Sequence, residues 1–203
     1  MIGHEALEAA QGYVRTFFAR DASGHDAEHT MRVWRLAVRI ACEEGANEGI
    51  VGLAALLHDV DDHKISPATA HDLGNARAFL ESQGVAGAEA EAVLTAIREV
   101  SFTRNGGAQP SSLEAACVRD ADRLDAMGAI GIARTFAFGG AHGRALYDPA
   151  GEDAGTSVQH FHDKLLKLRD LMCTQAGQRM AQHRHEVLQE FLAELGAELA
   201  GER

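Results

Sequence analysis

The chain has 203 residues, 46% hydrophobic and 24% charged, a balance close to that of soluble globular proteins that argues against disorder and fits one globular domain. Asp and Glu (30) outnumber Lys and Arg (19), for a net charge of −11. That sign disfavours duplex nucleic acid and anionic membrane surfaces as partners, and admits a small anionic substrate only where a metal or clustered cations reverse the field locally.

Only 3 prolines occur, and Ala, Leu, Glu, Gln and Arg dominate, the residues that lose least on entering a helix. Alternating Val, Ile and Thr runs are scarce, so the expected class is all-α, a single-domain helical bundle. Cys42, Cys117 and Cys173 are odd in number, widely spaced and without a C-x-x-C, as reduced thiols of a cytoplasmic protein would be. The acidic start Met1-Ile2-Gly3-His4-Glu5 lacks the features of a signal peptide, and the longest apolar run, Ile50 to Leu57, is too short to span a bilayer.

In chain order, a first helix is predicted from His4 to Arg20, with Leu7, Ala10, Val14, Phe17 and Phe18 on one face. A breaker cluster, residues 21 to 26, ends on Asp26, a suitable N-cap for a second helix that stops at Gly45. Its broad apolar face (Val33, Ala37, Ile40 with Trp34, Val38, Ala41) suggests a central position. The third helix, Glu48 to His58, is apolar all round and runs into the acidic stretch Asp59 to Asp62. Helices follow over Ala68 to Gln83, Ala86 to Val100, Ser112 to Val118 and Ala121 to Phe138. A glycine-rich loop reaches Gly155, and Ser157 to Leu199 forms one long helix or two, broken near Gly177. The main domain is expected over about 22–138 and the C-terminal helical region over about 156–199.

Leu56-Leu57-His58-Asp59 carries the chemistry: an apolar helix ending in an adjacent imidazole and carboxylate, a pair that is costly to bury without a partner. A divalent cation over the helix end offsets that cost. Upstream stands His29, in Glu28-His29-Thr30-Met31-Arg32-Val33; downstream stands Asp122, in Asp120-Ala121-Asp122-Arg123-Leu124-Asp125. Taken singly, His58 reads as a core histidine, Asp59 as part of a solvated turn, and Asp122 as a helix cap. His25 rivals His29, and Asp120 and Asp125 rival Asp122.

The forms G-H-D-x-x-H-x-x-R-V, L-H-D-x-x-D and D-A-D-R-L-D-A-x-G-A-x-G-I-A-R resemble the HD-domain phosphohydrolase superfamily, in its small stand-alone bacterial YpgQ- and YedJ-like branch. The likeness continues through Phe138-Gly139-Gly140 and the stretch His160 to Leu168. It implies a helical fold with His29, His58, Asp59 and Asp122 as metal ligands, and Asp62, three positions beyond the doublet, as the catalytic acid. Asp125, one turn beyond Asp122 on the same helical face, is expected behind the ligands as an orienting group. Two nitrogens and two carboxylates suit Mn²⁺, Mg²⁺, Co²⁺, Ni²⁺ or Fe²⁺ better than a closed zinc site.

A phosphate-bearing substrate needs cations. His160, Lys164 and Lys167 fall at i, i+4 and i+7, Arg32 lies one turn after His29, and Lys64 follows the acidic turn. These are the expected phosphate-binding residues, whereas Arg123 reads as a solvated side chain. No G-x-x-x-x-G-K-[ST] or G-x-G-x-x-G motif occurs. The expected activity is hydrolysis of a nucleotide-like phosphoester or phosphoanhydride, foremost a nucleoside triphosphate to monophosphate and pyrophosphate. A 5′-nucleotidase, a cyclic or alarmone nucleotide phosphodiesterase and a non-catalytic nucleotide sensor are the alternatives; a homo-oligomer is compatible with the sequence.

Overall fold

The computed structural model describes residues 2–19, 27–100, 108–150 and 155–203. The expected Asp26 cap and the rival ligand His25 lie outside them. The described residues form α-helices and one 3-10 helix, with no strand among them. None of the helices is long and apolar enough to cross a membrane. Within the expected single domain they cluster into two compact units, Met1–Asp122 and Arg123–Arg203.

The first unit contains α1 (His4–Phe17), α2 (Ala27–Glu44), α3 (Glu48–Leu57), α4 (Gly74–Ser82), α5 (Gly87–Val100) and most of α6 (Leu113–Asp125). Helix α3 is its centre. Every residue from Val51 to Leu57 is buried, and α1, α2 and α5 pack on it. Asn47 starts the helix: its side-chain oxygen accepts from the amides of Gly49 (3.1 Å) and Ile50 (3.2 Å), two donors with no carbonyl to reach. Gly52 lets α1 come close, since a Cβ there would stand 2.7 Å from Leu7 Cδ2. The second helix of the chain, expected to be central, instead buries one face only.

Two expected boundaries move. The helix predicted from Ala68 begins at Gly74; residues 63–73 are mostly turn, ended by Leu73 at φ +59°, a left-handed conformation unusual for a bulky residue. Leu73 is buried, so packing of its side chain opposes the backbone strain. The break expected between Val118 and Ala121 is absent: α6 runs on to Asp125, because Arg119, Asp120 and Ala121 are buried helical residues and nothing there disrupts the turn. The stop comes at Gly128, whose φ of +66° only glycine adopts without cost.

The second unit contains α7 (Gly128–Ala141), α8 (Ser157–Asp163), a 3-10 helix (Leu165–Leu171) and α9 (Gln175–Leu199). Helix α7 packs on α8 and α9, and Phe136, Phe161 and Phe191 meet there with ring centroids 5.6–5.8 Å apart. The break expected near Gly177 lies earlier. Lys164 leaves the α conformation (φ −133°, ψ −59°), and Thr174 caps α9 by accepting from the Gly177 amide. His160, Lys164 and Lys167 therefore do not share one α-helical face.

Candidate metal centre

The site is built where α3 runs out. His58 keeps helical angles (φ −62°, ψ −30°) one residue beyond the helix, and its Nδ1 lies 2.8 Å from the Ala55 carbonyl oxygen. That oxygen can only accept, so Nδ1 carries a proton and Nε2 is turned towards the interior. The His58 side chain is 3% exposed, and Nε2 has no hydrogen-bond partner although Asp59 Oδ2 is only 3.2 Å away. Asp122 Oδ1 lies 3.9 Å from the same nitrogen.

His29, on the first turn of α2, completes the group. Its Nε2 lies 3.4 Å from Asp59 Oδ2 and 3.5 Å from Asp122 Oδ1, and its ring sits edge-on to that of His58 with centroids 5.4 Å apart. One ligand atom each from His29, His58 and Asp59 can be chosen so that all lie within 4.8 Å of one another. The structure thus brings together all four residues singled out in the sequence, from α2, the end of α3 and α6. Three are buried, and Asp122, with a side chain 35% exposed, forms the open side.

The electrostatics fit a cation. Burial by itself discourages a charged His58, but the Asp59 carboxylate, with Asp122 and the Ala55 carbonyl, more than offsets it and holds the pKa up at about 9. An unpartnered imidazole nitrogen facing two carboxylates takes either a proton or a metal ion. An Nδ1 anchored on a backbone carbonyl is also the usual support of a metal-bound histidine. The donor set fits a divalent ion held by His29, His58, Asp59 and Asp122, with coordination positions left open.

The acidic turn divides its work. Asp61 is buried, and its two oxygens accept from the amides of Asn75 (3.0 Å) and Ala76 (2.9 Å), so it caps α4 from 14 residues away. Asn75 answers by donating Nδ2 to the Val60 carbonyl (2.9 Å) and to Thr69 Oγ1 (3.0 Å). Tyr13 lies close enough that burial, then the Asp61 charge, raise its pKa. Asp62 is bound more lightly: Oδ1 accepts from the Lys64 amide at 2.9 Å, and the side chain is 27% exposed. Sequence patterns did not reveal Asn75 as the residue that fixes this turn, although the Asp72-Leu73-Gly74-Asn75 cluster of turn and cap formers was a usable signal.

The remaining candidates are placed as follows. Arg32 is half-buried on α2, and Lys64 is exposed in the turn after Asp62. In the second unit, His160 lies on α8, Lys164 ends that helix and Lys167 stands on the 3-10 helix, both lysines exposed. Asp125, expected behind the ligands, is paired with Arg134 Nη1 at 2.6 Å. Arg123 donates to the Leu171 carbonyl, a structural tie rather than a solvated side chain.

Comparison with known proteins agrees with this geometry. The HD domain model matches residues 26–127, a stretch that holds all four converging side chains. Bacillus subtilis YpgQ is 37% identical over 196 residues, covering 96% of this chain and 94% of YpgQ. An HD-superfamily hydrolase of Bacillus thuringiensis superposes with a TM-score of 0.80 at 41% identity, over 97% of each chain. The structure of Bacillus subtilis YpgQ in complex with ADP gives 0.79 at 34% identity, over 96% of this chain and 98% of YpgQ. With half of the sequence matched by the family model and a relative alike almost end to end, the chain belongs to the HD-domain superfamily of metal-dependent phosphohydrolases.

Proposed function

We propose that the protein hydrolyses nucleotides, foremost nucleoside triphosphates to a monophosphate and pyrophosphate, with His29, His58, Asp59 and Asp122 as its metal ligands. The observation that carries this reading is the buried, unpartnered Nε2 of His58 set against the Asp59 and Asp122 carboxylates. A bound divalent ion would supply Lewis acidity and lower the pKa of water. Asp62 is the group that takes or returns the proton, because Asp61 is committed to the amides of α4 while Asp62 keeps a partly exposed oxygen with no hydrogen bond. Arg32, Lys64, His160, Lys164 and Lys167 hold the phosphates. The nucleotide class is supported by YpgQ, which is similar over nearly the whole chain and has been crystallised with ADP.

The test is a nucleotide panel run on protein stripped of metal and reloaded with Mn²⁺, Mg²⁺, Co²⁺, Ni²⁺ or Fe²⁺. Pyrophosphate released from triphosphates supports the proposal. Orthophosphate released from monophosphates would make the protein a 5′-nucleotidase, and opening of cyclic or alarmone nucleotides a phosphodiesterase. Binding without turnover under every ion would make it a sensor and defeat the hydrolase reading.

A further inference from the structure

Asp62 sits in a turn near water. Its amide donates to the Asp59 carbonyl at 3.0 Å, and its carbonyl accepts from the Ile65 amide (3.0 Å) and the Ser66 amide (2.7 Å). Its carboxylate takes the Lys64 amide at 2.9 Å, with His63 Nδ1 3.8 Å from the same oxygen. The residues from Asp62 to Ser66 are all exposed or half-buried. Hydrogen bonds so placed are worth only about 1 kcal/mol each. The direction in which Asp62 presents its oxygens therefore depends on what grips the chain before and after it.

One side-chain nitrogen grips both flanks. Asn75 Nδ2 donates to the Val60 carbonyl at 2.9 Å, two residues before Asp62, and to Thr69 Oγ1 at 3.0 Å. Thr69 in turn donates its amide (3.1 Å) and its hydroxyl (3.3 Å) to the Ser66 carbonyl, and the Ser66 amide is the one that holds the Asp62 carbonyl. A primary amide nitrogen carries two hydrogens, and both are used here. Gly74 makes the approach possible, since a Cβ there would stand 3.2 Å from both Cβ and Cγ2 of Thr69. The base of the grip is firm. Ala76, Phe79 and Leu80 of α4 are buried, and the Tyr13 ring of α1 lies 5.0 Å from that of Phe79.

We propose that Asn75 is a positioning residue for Asp62, its Nδ2 closing the turn from both sides so that the carboxylate keeps one orientation. The inference deepens the phosphohydrolase reading and rests on it for Asp62 being the group that moves the proton. Asn75 acts through Val60 and Thr69, not on the substrate. The role needs two N–H donors on a short stem. Aspartate has the same size but no donor, and would set a charged oxygen against the Val60 carbonyl; glutamine carries its donors one methylene further out. Proton transfer is sensitive to such placement, since a displacement of about 1 Å in a reacting group costs about 100-fold in rate.

The experiment joins steady-state kinetics to hydrogen exchange, both on the full chain. With the metal and nucleotide that give turnover, Asn75→Ala and Asn75→Asp lower kcat about 10- to 100-fold, while KM and bound metal stay as in the unaltered protein. Thr69→Val, which frees one flank only, lowers kcat a few-fold, and it carries both measurements should Asn75→Ala fail to fold. Adding Asn75→Ala to Asp62→Asn changes the residual turnover by less than about twofold, because residues that act as a unit are not additive. A full second loss there, or an unaltered kcat in Asn75→Ala, overturns the proposal, since a residue that only stabilises the fold would behave so. Exchange gives a readout without turnover. By NMR, Asn75→Ala speeds deuteration of the Asp62 and Ser66 amides and leaves that of Leu56 in α3 unchanged. Unchanged rates at Asp62 and Ser66 overturn the positioning role even in an active enzyme. Faster exchange at those two amides in a chain inert with every metal and nucleotide upholds the positioning of Asp62 and defeats the hydrolase reading instead.

Discussion

At the end of α3, two imidazoles and two carboxylates meet largely out of water, each brought in by a helix or by the turn that follows one. In the second unit Lys164 and Lys167 are exposed and His160 is half-buried, and the three stand on a short helix, its end and a 3-10 helix. The two regions teach different things about how a fold holds charge. Buried donors are fixed by packing and tolerate no substitute, because removing one leaves its neighbours desolvated and unpaired. Exposed cations are screened and individually modest, so they act through number and preorganisation.

The contrast can be broken first at its strongest point. Replacing His58 by Ala should remove metal from the purified protein and reduce turnover at least 100-fold, since even groups that only support a ligand are worth about 10–100-fold. Metal retained at full stoichiometry would show that the four side chains do not act as one site. Asp62→Asn should lower kcat by about 10²–10⁴ while metal content stays at the level of the unaltered protein. Normal turnover would remove Asp62 from the proton path. Its neighbour sharpens the distinction: Asp61→Asn should cost about 2 kcal/mol of stability, read by denaturant unfolding, because the amide gives the α4 end a single uncharged acceptor. An unchanged midpoint would rule out the cap. Smallest of all, Lys167→Ala should raise KM a few-fold, more at low salt than at high, with kcat unchanged. A salt-independent effect would mean that Lys167 acts by packing.

The buried region was far more legible in the sequence than the exposed one. His58-Asp59 stands out because an apolar helix ends abruptly in two polar side chains, and His29 and Asp122 stand in motifs with a recognisable local pattern. The helix class followed from composition. Asp61 was opaque, because its partners lie 14 and 15 residues on and a cap made across a loop leaves no periodicity. The false start of α4 at Ala68 has the same root: Ala68, Thr69 and Ala70 tolerate a helix, but Asp61 and Asn75 fix the beginning at Gly74. Lys164 and Lys167 were spaced as helical neighbours, yet the chain leaves the α conformation at Lys164, a choice made by packing of Leu165 and Leu168 that spacing cannot express.

The bond pair from Asp61 to α4 ties the fate of the acidic turn to a helix that carries none of the converging side chains. The Asn75 and Ala76 amides cannot exchange with deuterated solvent unless Asp61 lets go, so their exchange rates gauge how often the turn loosens. Changes made deep in α4, at Ala76 or Leu80, both buried, would quicken that exchange and slacken the turn without touching a single donor atom around His58.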